Sequence, residues 1–225
     1  MKKLHLLLLC FCCTLSAAGQ RNSDFGVFAG VSSYIGDINP SRLMYSPRPA
    51  GGIFYRYNLH PRQAIRANVF IGSLGANDLD FKNSFQLARA ASFSGTIGEL
   101  SLQFEFNFLP YSTQGKPWDF TPYIAGGTGL AFFNSAEFAY KPVIQFSLGF
   151  KVNLYKNLGL EAEYGFSKTF YDNFDGLKDL VAPTDYGWIH NNDWYSFAGL
   201  ALTWKIYSRL EGCPAYYDVD TKRKR

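Results

Sequence analysis

Glu99-Leu100-Ser101-Leu102-Gln103-Phe104-Glu105-Phe106-Asn107-Phe108 alternates polar or charged side chains with large apolar ones without a break. A period of two puts the two sets on opposite faces of a β-strand; at the helical period of 3.6 they would scatter around the axis. About ten such residues also match the length a tilted strand needs to cross the hydrocarbon of a bilayer. One face is wholly apolar and the other carries two carboxylates. Such a strand divides an oily medium from a polar one.

Working outward from it, seven more segments alternate in the same way. The first, Asp24 to Gly36, sets Phe25, Val27, Ala29, Val31 and Ile35 on one face. The second, Ala50 to Leu59, sets Ile53, Tyr55, Tyr57 and Leu59 against Phe54, Arg56 and Asn58. After a turn at His60-Pro61-Arg62, Ile65, Ala67, Val69 and Ile71 oppose Arg66, Asn68 and Phe70. The fifth segment, Tyr123 to Phe133, sets Ile124, Thr128, Leu130 and Phe132 against Ala125, Gly127, Gly129 and Ala131. The sixth runs from Ile144 to Leu154, with Gln145, Ser147, Gly149, Lys151 and Asn153 on its polar face. Past Lys156-Asn157, the seventh opposes Leu158, Leu160, Ala162, Tyr164 and Phe166 to Glu161, Glu163, Ser167 and Thr169. The eighth opposes Ala198, Leu200, Leu202, Trp204 and Ile206 to Phe197, Gly199, Ala201, Thr203 and Lys205.

The connections after segments one, three and seven are long, and those after two and six are tight. Membrane barrels show this asymmetry, with short periplasmic turns and longer outer loops. Pro110–Thr121 is longer, and Asn134–Pro142 shorter, than that rule expects. The reading is an all-β fold: an eight-stranded antiparallel transmembrane β-barrel spanning residues 20–207.

Period alone leaves open which face points inward. A soluble, lipocalin-like carrier would keep the apolar face inside around a ligand. Three features favour the reverse. The apolar faces carry no charge, Tyr55, Tyr57, Tyr164, Phe166 and Trp204 lie near strand ends where interfacial girdles form, and the polar faces balance. That balance sets Arg56, Arg66, Lys151 and Lys205 against Glu99, Glu105, Glu161 and Glu163. The interior of an eight-stranded barrel is only wide enough for side chains. Unpaired buried charge is costly, so these residues are expected to pair and plug the lumen.

The 21 Phe, 15 Tyr and 4 Trp are spread among polar residues along the whole chain, which suits strands better than helices. Lys2 and Lys3, the apolar stretch Leu4–Leu15 and the small residues Ser16 to Gly19 have the parts of a secretory signal, with cleavage near Gly19–Gln20. Leu9 before Cys10 does not suit a lipoprotein signal. The mature chain then has both ends in the periplasm and a tail over residues 208–225. Removing Lys2 and Lys3 takes the formal charge from +4 to about +2, which makes no case for nucleic acid. Of the four cysteines, Cys213 alone remains; an odd cysteine in an oxidising compartment reads as intermolecular pairing or a free thiol.

No chemistry of an enzyme or metal site stands out. His60 and His190 are too few and too far apart for zinc. His190 near Asp193 lacks the second carboxylate pair of an outer-membrane protease. Asp172-Asn173-Phe174-Asp175-Gly176 lacks the ligand spacing and distal Glu of a calcium loop. Gly126-Gly127-Thr128-Gly129 lies in a strand pattern with no Lys or helix to hold a phosphate. Neither a cofactor, a catalytic residue nor a small-molecule substrate is expected.

Tyr34 to Pro40, Glu99 to Phe108, Pro122 to Gly127 and Asn192-Asp193-Trp194-Tyr195 together resemble the PorG-type barrels of the type IX (Por) secretion system. The resemblance runs from about Phe25 to Cys213, though the fifth-to-sixth connection is shorter here than in many relatives. It implies a non-enzymatic outer-membrane component, associated with a periplasmic ring built from a lipoprotein and its partner. Within that resemblance Cys213 becomes the candidate for a disulfide to the ring lipoprotein. The rival expectation is a stand-alone OmpA- or OmpX-like barrel with a structural or adhesive role.

Overall fold

The alternation closes on itself. In the computed structural model, which describes residues 23–36, 38–39, 42–81, 84–113, 116–134, 138–155, 157–169 and 194–206, eight antiparallel strands form one closed barrel. They are β1 (Ser23–Ile35), β2 (Arg48–His60), β3 (Gln63–Asn77), β4 (Ser92–Asn107), β5 (Phe120–Asn134), β6 (Phe138–Tyr155), β7 (Leu158–Thr169) and β8 (Trp194–Ile206). Each pairs with its sequence neighbour, and β1 pairs with β8 to seal the wall. The signal segment, Asp172–Gly176, His190, Asp193, Cys213 and the tail lie outside the described residues.

Closure needs stagger, and the register gives it. Following partners around the wall from Asp24 leads through Arg56, Arg66, Gln103, Gly127, Gln145, Ser167 and Tyr195, and returns to β1 at Tyr34. One circuit therefore advances 34 − 24 = 10 residues, a little over one per strand. Residues at equal height are accordingly not register partners, and the drift decides which side chains meet inside.

The strands are longer than the alternating cores read from sequence. β5 begins at Phe120 and β6 at Phe138, so Pro122 and Pro142 stand inside strands and not in turns. Pro142 pairs with Leu130 just beyond the end of the β6–β7 ladder, at Val143↔Thr169. On such an edge a missing N–H is tolerated. The expected outer loop Asn134–Pro142 thus shrinks to the connection at 135–137.

The apolar faces point outward. Ile53, Val69, Leu100, Leu102, Ile144, Phe146, Leu148 and Leu200 are all exposed around the wall. Trp118, Phe120, Tyr155 and Trp204 ring the end holding the start of β1 and the end of β8, hereafter the terminus end. Tyr140 and Trp194 stand toward the other, the loop end. Lys168 also lies on an outward face near the loop end, with its ammonium 5.2 Å from the Trp194 ring centre. An apolar belt between aromatic rings is the surface that a bilayer requires of a closed barrel.

Between β3 and β4 stand a 3₁₀ turn (Asp78–Asp80) and a short helix, α1 (Ser84–Arg89), which ends as Ala90 takes φ 49°. Asp78 accepts from Arg89 Nε and Nη2 at 2.7 and 2.8 Å and from the Ala91 amide at 3.0 Å. Those bonds staple α1 back onto the strand end.

Candidate functional site in the barrel lumen

The inward faces build the lumen in layers, and the lowest is ionic. Arg56 donates from both Nη atoms to Glu161, each at 2.6 Å, and Nη2 also reaches Glu105 Oε1 at 3.1 Å. Its Nε sits 2.7 Å from Glu105 Oε2 without hydrogen-bond alignment. Arg66 forks onto Glu163 at 2.8 and 2.6 Å, and its Nε lies 3.2 Å from Glu105 Oε1. Lys151 Nζ donates to Glu105 Oε2 at 2.5 Å and to Asn107 Oδ1 at 3.1 Å. All six charged side chains are almost fully buried. With Asp24 beside Arg56 at 3.7 Å and Lys205 on Asp24 at 3.8 Å, four cations meet four carboxylates and the cluster balances.

The stagger explains these partners. Arg56 stands opposite Arg66 in register, which is a repulsive arrangement, and Lys151 stands opposite Glu161. The register row from Arg56 arrives on β7 at Ser167, and the drift of ten per circuit over five strands lowers the level position by about six residues. That brings Glu161 level with Arg56. The two guanidiniums therefore span the lumen from β2 and β3 to carboxylates on β7.

Aromatic rings complete the layer. The guanidinium carbons of Arg56 and Arg66 lie 5.0 and 5.1 Å from the Phe54 ring centre, and Lys151 Nζ lies 4.3 Å from that of Tyr123. Cations held on ring faces are partly compensated for lost hydration. Tyr123 also donates to Glu163 Oε2 at 3.0 Å. The wall makes room for such rings with glycine. Gly26, Gly149 and Gly165 stand directly opposite Phe54, Tyr123 and Phe197 in register. A Cβ on Gly26 would lie 2.2 Å from the Phe54 ring, and one on Gly165 2.3 Å from that of Phe197.

Of the charges expected in the network, Glu99 stands apart from it, and Lys205 joins it at its edge through Asp24, which lies 3.7 Å from Arg56 Nη1. Lys205 pairs at 3.8 Å with Asp24, a buried carboxylate at the start of β1 that also takes Asn58 Nδ2 at 2.9 Å. Glu99 has no cation within ion-pair distance among the described residues; its Oε2 accepts from Tyr195 and, at 3.3 Å, from Ser167. The reason is height. Glu99 is six residues from Glu105 along β4, and this lifts it out of the reach of Arg66.

Toward the loop end the ionic layer gives way to rings. Phe28, Phe70 and Phe197 form a triangle with centroids 5.4 to 6.2 Å apart. Only about 30 Å³ of void separates it from Arg66 and Glu163, room for a water or two. Tyr34, Ile38, Leu74, Ile97, Phe133 and Val143, all fully buried, fill the mouth beyond. At the terminus end the β4–β5 connection tucks Tyr111 and Thr113 under the barrel, with the Tyr111 amide on Pro61 O at 3.0 Å. Burial raises the Tyr111 hydroxyl pKa, and the charge of Glu161 adds to the effect. This tuck accounts for the length of Pro110–Thr121.

Sequence pattern does not single out Asp24, Gln103, Tyr123 and Tyr195. Asp24 sits at a strand end where alternation has barely begun. The other three lie on faces whose neighbours mark them as inward, so only their roles are hidden.

A belted, side-chain-filled barrel of this kind has the fold of the eight-stranded outer-membrane proteins. The chain belongs to the DUF6089 family, a domain of unknown function whose model matches residues 2–214. A comparison with curated proteins finds no match. Among solved structures, Neisserial surface protein A is similar at 10% identity and a TM-score of 0.52, over 81% of this chain and 96% of that one. OprG of Pseudomonas aeruginosa is similar at 11% identity and a TM-score of 0.45, over 83% of this chain and 98% of that one. Ail, the attachment invasion locus protein of Yersinia pestis, is similar at 13% and 0.42, over 81% and 97%. The first of these shows the shared fold.

Proposed function

We propose that this chain is a non-enzymatic, plugged anchor in the bacterial outer membrane, with a signal peptide at 1–19, the barrel at 20–207 and a periplasmic tail at 208–225. The observation that carries the reading is an apolar belt around a lumen filled at three levels: the Tyr111 tuck, the ionic layer and the apolar mouth. Such a wall holds the protein in lipid and leaves no water path. Both ends of the chain then face the periplasm, because the tight turns at 61–62 and 156–157 share their side of the wall with the start of β1 and the end of β8.

The resemblance to PorG-type barrels supplies what the anchor holds. It would tie the periplasmic ring lipoprotein and its ring partner of the type IX secretion system to the outer membrane. Cys213 in the tail is the candidate for the covalent tie. Pull-down of the tagged full chain from envelopes is expected to bring down the ring. A clean pull-down without it makes the chain a stand-alone OmpA- or OmpX-like barrel. On non-reducing gels wild type is expected to run as a heavier species that Cys213→Ser abolishes. Equal mobility removes the disulfide.

A further inference from the structure

Where the β1–β2 connection leans on the loop ends of β3 and β4, it encloses a cleft of about 440 Å³, lined by Tyr45, Arg48, Asn77, Asp80, Ser92 and Ser94 among others. The cleft lies on the side of the wall, above the apolar belt: the outward face of β4 changes from Leu100 and Leu102 to Thr96, Ser94 and Ser92. Its walls are pre-set. Met44 and Ser46, on either side of Tyr45, take φ 56° and 45°, a conformation that costs non-glycine residues energy. The Tyr45 ring packs on Phe81 at 5.1 Å, and its hydroxyl is held by Asp80 and by the backbone of Asn77. Arg48 lies against Gly75, where a Cβ would come within 2.4 Å of its guanidinium, and donates Nη1 to Ser94 at 2.6 Å.

Among the described residues these fixed groups keep bonding capacity to spare. Among the described residues, Arg48 uses one of its guanidinium nitrogens and Asp80 one of its carboxylate oxygens on side chains. A fork of donors, an anionic acceptor and serine hydroxyls therefore face one cleft beside an aromatic ring. Within the lining one cation and one anion cancel, with Arg42 behind them on the Phe81 ring and 3.5 Å from the Asp80 carbonyl, so the lining itself offers hydroxyl partners more than net charge. We propose that it binds a carbohydrate with adjacent hydroxyls: Asp80 accepts from one, and Arg48 donates to its neighbour or to the ring oxygen. Two sources share that chemistry, the sugar headgroup of a glycolipid in the same leaflet and a free glycan. The position just above the belt favours the headgroup. This source rests on the proposed orientation, with the loop end outside; binding by the purified barrel does not.

The test uses the full chain folded in detergent and in lipid nanodiscs, titrated with deacylated lipopolysaccharide core oligosaccharide, intact lipopolysaccharide, and dextran. Saturable binding of the oligosaccharide is expected, weakened about tenfold or more in Arg48→Gln and in Asp80→Asn, the scale of a lost hydrogen bond to a charged group. Lys116→Ala, at the terminus end, is expected to bind as wild type. Heat-modified gel migration verifies that each variant is folded, and Tyr45→Phe, which keeps the ring, is expected to bind at an intermediate level. Tighter binding of intact lipopolysaccharide than of its oligosaccharide assigns the headgroup; equal binding of dextran assigns free glycan. Failure of every glycan to saturate the folded wild type overturns the proposal. So does equal binding by both charge variants, or binding abolished by moderate salt. Labelling of Ser92→Cys on whole cells reports the orientation separately.

Discussion

The two halves of the lumen solve one packing problem in opposite ways. Near the terminus end, six charged groups pair across the barrel. Near the loop end, Phe28, Phe70 and Phe197 pack with no ion pair between lumen side chains among the described residues. Both halves fill their space with side chains, but they differ in tolerance. A ring cluster loses contacts in proportion to what is removed. An ion cluster fails as a whole, because deleting one member strands its partners as bare charge in a dry place. The lower half is thus the stricter one.

The sharpest way to break that contrast is Arg56→Met, which strands Glu161 and half of the satisfaction of Glu105. It is expected to cost about 3–5 kcal/mol, read from urea unfolding in lipid vesicles. A loss below about 1 kcal/mol means that water reaches the layer. In the same assay the double variant Arg66→Met/Glu163→Met is expected to be milder than Arg66→Met alone, since it removes both charges together. Phe197→Ala comes next, at about 3 kcal/mol for the cavity it leaves, with planar-bilayer conductance unchanged because the ionic layer still blocks the path. A steady current in that variant would show that the rings are the real seal. Tyr195→Phe takes a donor from Glu99 and is expected to cost about 1–2 kcal/mol, with no effect on the Arg56 cluster.

The smallest effect lies outside the lumen. Hydrogen bonds from Arg89 hold the Asp78 carboxyl below its ordinary pKa. Because the folded value is the lower one, the stabilisation is full above the unfolded value of about 4 and is lost as pH falls through the folded one. Amides of Ser84–Arg89 are expected to exchange faster at pH 3 than at pH 6, after correction for intrinsic rates, while β4 amides stay protected. Equal protection of the helix at both values would show that Asp78 does not hold it.

Alternation makes the wall legible, since each strand states its two faces in its own residues. It also names every charge of the ionic layer but Asp24. It cannot name their partners. Arg56 meets Glu161 only because ten residues of stagger lift the register row away from level, and stagger belongs to closure and not to any one strand. For the same reason Glu99, indistinguishable from Glu105 by local pattern, ends beside Tyr195. Phe54, Phe70 and Phe197 fall on inward faces by pattern, yet a ring among polar neighbours gives no sign of clustering until strands distant in sequence are brought level. Strand ends escape the pattern where prolines stand at half-paired edges.

β7 contributes both carboxylates that the two guanidiniums clasp, and it stands next to last in the chain. Without β7, the carboxylates within ion-pair distance among the described residues are Glu105 for both guanidiniums and Asp24 for Arg56. The β7–β8 pair completes two things together: it closes the seam to β1 and supplies the remaining anions. The ionic layer is in this sense a latch, satisfied in full by the complete barrel.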